Sequence, residues 1–547
     1  MTREFRFSPR VLTGSLLLTM SLLLTGCGDE PPATNSSSTS TGLQLLNQNW
    51  NDQQRETAWY TSFGSRIMPL SWFLVLEDAD GQALFSRPDN LRRFGFALAG
   101  SSPANPYNLP IGLASTPPHQ GERWVGLGCA ACHSGQIYYR GKSLHIDGGQ
   151  SLVDFQLLER EVIAALDATL RDYGKFTRFA QALGAGPDIR QSLQTRTERL
   201  KKMAALNDTH YAYGRGRLDA FGQIFNAVAA DFLELPENRR EPDAPVSYPV
   251  LWDAAHLDLV QWNGSAPNAG PGPLVQNATT ALAVFGDLNI HSDGIGYDSG
   301  VELENLGTIQ DLWYHLKAPA WPEQQLGVID RALAEQGSAI YQTQCLSCHM
   351  ISDQSKAKRE LKATLVSVDK VGTDRTMADN FVNAKAKSGA FEGKKLLYVA
   401  GNRLGEEAYS IELVLHATLG ALLQQPWQSI KAGLHSFHKV YSAPLDERPY
   451  AYKARPLSGI WASAPYLHNG SVPSLAALLS TERPSRFAVG RVEYDPRAVG
   501  LGKQVLDAAQ VSQFDTTEPG NGNAGHLYGT GLSDTDKRAL IEYLKTL

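Results

Sequence analysis

The chain has 547 residues and a formal net charge of −6 at pH 7, and 42% of its residues are hydrophobic and 19% are charged. This length and this apolar content are enough for several ordinary globular cores. The mildly acidic balance argues against nucleic acid as a partner and against a polybasic membrane anchor.

Residues 1–26 are predicted to be a lipoprotein signal peptide. Three arginines open the chain, and the apolar stretch of residues 11–25 that follows is too short for a comfortable membrane span. It ends in Leu-Thr-Gly-Cys, which resembles a bacterial lipoprotein cleavage box and predicts lipidation of Cys27. The alternative is an ordinary secretory signal followed by an incidental cysteine. Residues 27–42, rich in Ser, Thr and Pro, predict a flexible tether, so the mature protein is expected to face the periplasm from a bacterial membrane.

Two Cys-x-x-Cys-His runs, at residues 129–133 and 345–349, carry the clearest chemistry in the sequence. Such a run is the attachment signature of a c-type haem: each thiol adds across one vinyl group of the porphyrin, and the histidine supplies the proximal imidazole to the iron. The sequence therefore predicts two covalently bound haem c groups. The alternative, a four-cysteine zinc site, leaves the histidine after each pair unexplained. The predicted attachment residues are Cys129, Cys132, Cys345 and Cys348, and the predicted iron ligands are His133 and His349.

Apolar residues at helical spacing predict three helices beside these runs. One helix is predicted to start at Ser151 with Asp154 as its capping partner, a second leads into Cys345, and a third covers residues 533–547 with Ser533 as its cap. A helix that leads into Cys-x-x-Cys-His, closed by a terminal amphipathic helix, resembles the small cytochrome c fold. The predicted fold class is mostly α, with two cytochrome c-like haem domains and long loop-rich and helical insertions.

The predicted domain boundaries follow the two runs. An N-terminal cytochrome c-like haem domain is expected at residues 43–200 and a C-terminal one at residues 326–547. Residues 201–325 are expected to form an insertion between the haems that contributes a distal pocket.

Within this insertion, two groups of side chains suit a haem environment. Arg215 and Arg217 could hold the anionic haem propionates with their forked donors, or could form surface salt bridges. Trp252 and Trp262 could wall a haem pocket or carry electrons between the haems, or could simply pack in a core. The residues alone leave these alternatives open.

Several short motifs, spread over nearly the whole mature chain, resemble the di-haem cytochrome c peroxidase/MauG superfamily, and most closely its large rubber-oxygenase-like members. The most diagnostic motif is Ala-Pro-Tyr-Leu-His-Asn-Gly at residues 464–470. The other matching motifs are Asn105-Pro106 with Leu109-Pro110, residues 125–127, residues 214–219, residues 249–252, residues 261–264, residues 455–462, Gly525-His526 and residues 540–547.

The resemblance implies that the two haems have different roles. The haem of His133 is expected to keep an open distal position for peroxide or dioxygen, and the haem of His349 to be six-coordinate and to handle electrons. His526, which follows a glycine-rich loop, is the expected sixth ligand of the second haem. The alternatives are His468, which the resemblance rather makes a hydrogen-bonding residue near the haem, and Met377.

The distal side of the first haem has two candidates. Peroxidatic relatives use a movable distal His or Glu, which points to His145, although this residue is equally well explained as an ordinary polar loop residue. The rubber-oxygenase-like members have an apolar, aromatic distal pocket, for which Trp252 is the candidate. Arg215, Arg455 and His468 are the remaining expected cofactor contacts, and the resemblance leaves open a calcium ion between the haem domains.

The predicted function is an exported, peroxidase-like di-haem c-type oxidoreductase that uses peroxide or dioxygen and a small redox protein as electron donor. One alternative is a rubber-oxygenase-like dioxygenase that cleaves an apolar unsaturated substrate, although a lipid anchor is awkward for attack on an insoluble polymer. The other is a non-catalytic electron-transfer lipoprotein with two six-coordinate haems. The long segment between the runs favours an enzyme, because a pure carrier needs little more than a wrapping for its haems.

Overall fold

The computed structural model describes residues 42–118, 121–434 and 449–547, which belong to a unit that covers residues 36–547. Helix accounts for 39% of the structure and strand for 17%. In chain order the α-helices of the described residues are α1 (Asp52–Tyr60), α2 (Leu70–Val75), α3 (Pro88–Arg93), α4 (Cys129–Cys132), α5 (Phe155–Arg171), α6 (Tyr173–Leu183), α7 (Ile189–Leu206), α8 (Ala220–Asn226), α9 (Gly272–Ala283), α10 (Leu303–His315), α11 (Glu323–Leu326), α12 (Arg331–Gln344), α13 (Val368–Val371), α14 (Thr376–Asn383), α15 (Ser410–Gln424), α16 (Pro426–Leu434), α17 (Leu475–Leu478) and α18 (Asp534–Leu544).

The strands are short. In chain order they are β1 (Leu43–Leu45), β2 (Met68–Pro69), β3 (Leu113–Ser115), β4 (Trp124–Leu127), β5 (Ser134–Tyr139), β6 (Lys142–Asp147), β7 (Arg217–Leu218), β8 (Val246–Ser247), β9 (Leu259–Val260), β10 (Ala266–Pro267), β11 (Leu288–Asn289), β12 (Asp298–Ser299), β13 (Thr364–Ser367), β14 (Lys385–Lys387), β15 (Glu407–Tyr409), β16 (Ala451–Ala454), β17 (Arg486–Gly490), β18 (Val492–Asp495), β19 (Gly500–Val505) and β20 (Val511–Asp515). Most of them form two-stranded ribbons, and β2, β4 and β3 form a three-stranded sheet just before the first haem-binding run.

A five-stranded sheet joins N-terminal and C-terminal strands next to the first haem-binding run. Its order is β1-β6-β5-β18-β19, in which β5 and β6 form an antiparallel hairpin and β18 pairs in parallel with β5. The hairpin turns at Arg140 and Gly141, whose φ angles of 48° and 76° fit a two-residue turn with both residues in the left-handed region. The carboxylate of Glu493 on β18 accepts a hydrogen bond from the N–H of Arg140 at 2.7 Å. The strand that follows His133 is thereby tied to the C-terminal part of the chain.

Two large hydrophobic clusters form most of the core. Both include residues from before and after position 325, and Cys129 packs against both of them. Cys132 contacts the first cluster and Cys345 the second. The haem-binding runs therefore lie at the surfaces of the two clusters, and the predicted domain boundaries stay a prediction.

The helix that leads into the second haem-binding run packs closely on the last helix. Gly337 of α12 lies against the backbone of Ala539 of α18, where an added Cβ atom would come within 2.0 Å of the Ala539 carbonyl oxygen. Nearby, the rings of Tyr341 and Tyr543 lie 5.2 Å apart. Ser533 caps α18, its hydroxyl accepting a hydrogen bond from the Asp536 N–H at 3.2 Å. Both predicted helices are confirmed, and so is the contact between them that the cytochrome c likeness implies.

The helix predicted to start at Ser151 begins at Phe155 instead. Asp154 is its N-cap and accepts a hydrogen bond from the Leu157 N–H at 3.0 Å. The Ser151 hydroxyl accepts from the Val153 N–H, and the Ser151 N–H donates to the Cys132 carbonyl. The hydrogen bond to Cys132 holds Ser151 beside the haem-binding run, and the helix begins after it.

The expectation of a mostly α chain holds only in part. The second run follows a helix pair of the cytochrome c type, but the first run is a single turn between β4 and β5. Strands β3 and β4 precede that first run, and β5 and β6 follow it.

Candidate haem-binding sites

The first Cys-x-x-Cys-His run forms the short helix α4, which lies tight against neighbouring backbone. Gly112 approaches so closely that a Cβ atom there would meet the Ala131 backbone at 2.4 Å. Cys129 and Cys132 are half-buried, and burial raises the pKa of each thiol to about 12.

A carbonyl group orients the first proximal histidine. The Nδ1–H of His133 donates to the Pro249 carbonyl oxygen at 2.8 Å, which leaves Nε2 for an iron. Burial lowers the pKa of His133 to about 4, so the imidazole is neutral at pH 7, as a ligand must be. The residue before Pro249, Tyr248, is fully packed beside Cys132, and its hydroxyl donates to the Arg217 carbonyl at 3.3 Å.

The second run repeats this arrangement. The Nδ1–H of His349 donates to the Arg455 carbonyl oxygen at 2.8 Å, and burial lowers the pKa of His349 to about 4. The Tyr341 hydroxyl of α12 donates to the His349 carbonyl at 2.6 Å, which ties the run to the preceding helix. Leu346 and Ser347 are exposed, so this run, unlike the first, faces solvent on one side.

His526 lies close to His349, at a ring separation that suits two imidazoles bound to one iron atom. Their ring centroids are 6.1 Å apart, with an angle of 54° between the ring planes. Metal–nitrogen bonds are about 2 Å long and an imidazole centre lies about 1 Å behind its nitrogen, so two imidazoles on opposite faces of one iron have centroids about 6 Å apart. The residues around His349 therefore fit a six-coordinate haem.

The backbone before His526 is held in an unfavourable conformation. His526 has a φ angle of 47° and Gly525 one of 73°, and a Cβ atom on Gly525 would meet the Gly372 backbone at 2.1 Å. The His526 N–H donates to the Val371 carbonyl at 2.7 Å, and the Arg483 guanidinium donates to the carbonyls of Gly525 and His526 at 2.9 and 3.2 Å. Such strain is typical of functional positions, and here it fixes the ring opposite His349.

The two other candidates for sixth ligand are engaged elsewhere. The buried ring of His468 stacks on Tyr452, with centroids 3.9 Å apart and an angle of 22°. Burial lowers the pKa of His468 to about 4. Met377 packs in a small apolar cluster with Val368 and Tyr452. A role for His468 as a contact of the haem stays a prediction.

His145 belongs to a buried ionic network on β6 rather than to a loop. Its Nε2 lies 3.2 Å from a carboxylate oxygen of Asp147, and the same carboxylate accepts from Arg55 at 2.7 Å and from the indole of Trp59 at 2.8 Å. The rings of His145 and Trp59 lie 5.1 Å apart, edge to face. These partners favour a structural role for His145, and a distal role stays a prediction.

Trp252 is fully buried and lies in the segment that holds His133. Its indole Nε1–H donates to the Ser458 carbonyl at 2.7 Å. Because Pro249 bonds the Nδ1 side of His133, this segment lies on the proximal side, away from Nε2. The position favours a bridge between the two haem-binding runs over the expected distal wall. Trp262 instead donates to the Ser247 carbonyl at 2.8 Å and packs on the cluster that contains Met377.

A buried ionic cluster that the sequence did not reveal joins the same segment to the loop after His349. A carboxylate oxygen of Asp253 accepts from the Ser352 hydroxyl at 2.9 Å and from the Gln354 amide at 3.0 Å, and lies 3.4 Å from the Arg359 guanidinium. Arg359 also donates to the carbonyls of Trp252 and Leu316, at 2.8 and 3.1 Å. No spacing rule connects Asp253 with Arg359 in the sequence, so only the fold brings them together.

The arginines expected at haem propionates lack a carboxylate partner in the described part of the chain; Arg215 and Arg217 are buried, and Arg455 is half-buried. Arg215 donates to the carbonyls of Arg93 and Ala509, while its Nε and Nη1 are buried with no partner. Burial lowers the pKa of Arg217 to about 9 and that of Arg455 to about 10. The alternative of surface salt bridges for Arg215 and Arg217 is wrong, and buried guanidiniums with spare donors fit an anionic propionate.

Other predictions find no test in the structure. Cys27, the signal peptide and the tether up to residue 41 lie outside the described residues, as do His435 and His438. Within the described ranges, every helix is too short or too polar to cross a membrane.

The same ranges hold no group of three or more His, Cys, Asp or Glu side chains that could bind a metal ion, which makes the four-cysteine zinc site wrong. Calcium stays a prediction.

Comparison with known proteins agrees with this geometry. Residues 451–488 match a family model described as RoxA-like, cytochrome c-like. This match covers β16, Arg455 and His468, and the RoxA-like proteins are a family of oxidoreductases, the rubber oxygenases. A cytochrome c-like domain implies covalently bound haem c.

Two proteins of Sinorhizobium fredii (strain NBRC 101917 / NGR234) are similar to the chain over much of its length. Uncharacterized protein y4iJ is 32% identical over 92% of this chain and 93% of that protein. Uncharacterized protein y4iM is 26% identical over 57% of this chain and 67% of that protein. The chain therefore belongs to the family of y4iJ, and within it carries a RoxA-like, cytochrome c-like segment.

Proposed function

We propose that the protein is an exported di-haem c-type oxidoreductase in which the haem at His133 is the chemical site and the haem at His349 stores electrons. The difference between the two proximal histidines carries the proposal. His349 faces His526 at 6.1 Å, whereas His133 has no ring contact with another imidazole among the residues that the structure describes. An iron with one protein ligand keeps a position for peroxide or dioxygen, and an iron with two imidazoles serves electron transfer.

The asymmetry is supported by the surroundings of the other histidines. Each fully buried histidine outside the haem-binding runs has a partner that accounts for its position. The pairs are His145 with Asp147, His256 with the Tyr314 carbonyl, His416 with Tyr297, and His468 with Tyr452. Of these, His256 and His416 have both ring nitrogens in hydrogen bonds, which leaves neither nitrogen for the first iron.

A short chain of bonds between the two proximal histidines supports electron exchange. The carbonyls of Pro249 and Arg455 accept hydrogen bonds from the imidazoles of His133 and His349. Three residues after Pro249, the indole of Trp252 donates a hydrogen bond to the carbonyl of Ser458, which is three residues after Arg455. The path is therefore two short peptide stretches and three hydrogen bonds. Gln354 links the two stretches, because its amide donates to the Asp253 carboxylate at 3.0 Å and to the Ser458 hydroxyl at 3.3 Å.

In this proposal the chain's own residues orient and insulate the cofactors. When bound, each haem iron supplies the redox chemistry. Pro249 and Arg455 fix the imidazole tautomers, burial keeps both imidazoles neutral, and the unpartnered donors of Arg215 would hold a propionate. A small redox protein is the proposed electron donor, and lipidation of Cys27 the proposed attachment to the membrane.

Peroxide reduction is the proposed reaction, as in the peroxidase-like members of the superfamily. Dioxygen-dependent cleavage of an apolar unsaturated compound is the alternative candidate, and the RoxA-like match at residues 451–488 is the observation that favours it. Acid–base groups at the distal side would favour peroxide, since its heterolysis needs proton transfer, whereas an apolar distal side would favour dioxygen.

Two assays on the purified holoprotein separate these reactions. One assay follows oxidation of a reduced small cytochrome on addition of hydrogen peroxide, and the other detects oxo-terminated fragments of polyisoprene under dioxygen. His133→Ala should abolish the active reaction, while His210→Ala, at an exposed histidine paired with Glu241, should leave it unchanged. If neither reaction occurs with both haems attached, both proposed reactions fail, and a role in electron transfer is favoured instead.

A further inference from the structure

A cavity of about 670 Å³ opens at a part of the fold that the haem sites do not use. Its walls come from residues 290–297, residues 393–403 and His416 of α15. None of these residues belongs to a Cys-x-x-Cys-His run or holds a proximal histidine. A cavity of this size suits a small organic molecule.

The floor of the cavity is an ordered polar chain. The Nδ1–H of His416 donates to the carbonyls of Lys395 and Leu396, at 3.1 and 3.2 Å, so its Nε2 accepts from the Tyr297 hydroxyl at 3.1 Å. The Lys394 ammonium in turn donates to the Tyr297 oxygen at 3.0 Å. Burial lowers the pKa of His416, which keeps it neutral. This series of hydrogen bonds thus holds the Lys394 ammonium at the cavity and uses only one of the three N–H donors of that ammonium.

The mouth of the cavity carries three positively charged side chains that no nearby carboxylate pairs with in the described ranges. Lys394, Lys395 and Arg403 are all exposed, and none lies within ion-pair distance of a carboxylate in the described ranges. Lys395 and Arg403 donate to the carbonyls of Val399 and Gly393, which leaves further donors on each. Asp293, on the facing loop, is exposed and forms no ion pair with them. Three cations that form no ion pair around one opening favour an anion.

Apolar side chains complete the rim. Ile295 is 81% exposed and Val399 is 85% exposed, although both line the cavity. The ring of Tyr398 stacks on His416, with centroids 4.6 Å apart and an angle of 7°, and gives the wall a flat aromatic face. Exposed apolar residues around an opening are typical of a ligand site.

We propose that this cavity binds a small organic carboxylate. The carboxylate would accept from Arg403 and the two lysines, for which a forked guanidinium and two ammonium groups are suited. Its apolar body would lie along Ile295, Val399 and the face of Tyr398. The site goes beyond the proposed haem chemistry and does not depend on it.

Binding to the full-length holoprotein tests the proposal, with benzoate as the probe and calorimetry or ligand-observed NMR as the readout. Benzyl alcohol tests the charge, and inorganic phosphate tests the apolar body. The double variant Lys395→Gln/Arg403→Gln removes two cations and leaves the Tyr297–His416–Lys394 chain intact. The matched control Lys142→Gln/Lys503→Gln removes the same charge from two exposed lysines of the five-stranded sheet. Unchanged haem absorption spectra and thermal midpoints show that the variants are folded.

The expected result is saturable binding of benzoate, at least tenfold weaker in the Lys395/Arg403 variant and unchanged in the control variant. Benzyl alcohol and phosphate should bind at least tenfold more weakly than benzoate. Absence of saturable benzoate binding, or equal loss in both double variants, would overturn the site. Equal affinity for phosphate would overturn its assignment to an organic carboxylate.

Discussion

His349 and His526 face each other with ring centroids 6.1 Å apart, although they come from segments separated by much of the C-terminal third of the chain. This ring separation is the one expected for two imidazoles bound to one metal ion. His526 is held there by a backbone with a φ angle of 47° and by the hydrogen bond from its N–H to the Val371 carbonyl, and such strained positions are typical of functional sites.

Replacement of His526 by Ala should turn one low-spin ferric haem into a high-spin haem, because the second iron loses its strong sixth ligand. The matched variant His468→Ala should leave both spin states unchanged, since its ring stacks on Tyr452. Absorption and EPR spectra of the purified variants measure the change. If the His468 variant changes spin state and the His526 variant does not, the ligand assignment is wrong.

Replacement of Trp252 by Phe should slow electron exchange between the haems, because it breaks the hydrogen bond to Ser458. It should also destabilise the fold by about 1–3 kcal/mol, since a buried carbonyl loses its donor. Trp262→Phe is the matched control: it loses a similar bond, to Ser247, outside the path. Rapid-mixing kinetics after partial reduction check the exchange rate. Equal slowing in the two variants would remove Trp252 from the path.

Replacement of Asp253 by Ala should lower the free energy of unfolding by about 3 kcal/mol, because it leaves the buried Arg359 guanidinium without its carboxylate. Asp353→Ala removes an exposed carboxylate that lies 3.7 Å from Lys356, and should lower the free energy of unfolding much less, because solvent screens that pair. Denaturant unfolding of the two variants measures the difference. A similar small loss in both would contradict the buried cluster.

Asp219 should make the fold less stable as the pH rises from 4 to 7. Burial raises the pKa of Asp219 to about 6, while the unfolded chain has a value near 3.9. The folded state therefore binds the Asp219 proton more tightly than the unfolded chain does. The resulting gain in the free energy of unfolding is fully present below about pH 4 and is lost as the pH rises through the folded pKa. The whole change is roughly 3 kcal/mol. Asp219→Asn should remove that contribution while its amide oxygen still caps α8. Unfolding midpoints of both proteins between pH 4 and 7 should differ in slope, and parallel curves would show that Asp219 does not titrate in this range.

Replacement of Gly337 by Ala should destabilise the protein by about 2 kcal/mol or more, because the new methyl group would push α12 away from the Ala539 carbonyl of α18. Gly433→Ala on α16 is the control, since nothing lies within 4 Å of an added Cβ there. That variant should be neutral or more stable by up to about 1 kcal/mol. Thermal unfolding distinguishes the two, and a neutral Gly337→Ala variant would contradict the tight helix contact.

Motifs with a fixed local spacing could be predicted from the sequence. The two haem-binding runs, the helix before Cys345 and the Ser533-capped last helix all depend on residues close together in the chain. The choice of His526 depended on its glycine-rich loop together with the family resemblance, and the structure puts its ring opposite His349.

Long-range contacts could not be predicted in this way. The carbonyls that hold the proximal histidines belong to Pro249 and Arg455, and any residue type offers a carbonyl. Asp253 and Arg359 meet only because the segments after Pro249 and after His349 pack together. The five-stranded sheet was not predicted because its strands are short and pair with strands far away in the sequence. No local alternation of apolar and polar residues therefore indicates them.

EPR of the purified ferric holoprotein at low temperature tests the central claim most directly. One high-spin and one low-spin signal, with the low-spin signal lost in His526→Ala, would agree with an open haem at His133 and a bis-histidine haem at His349. Two low-spin signals, unchanged after partial reduction, would mean that both irons are six-coordinate and would contradict a catalytic site at His133.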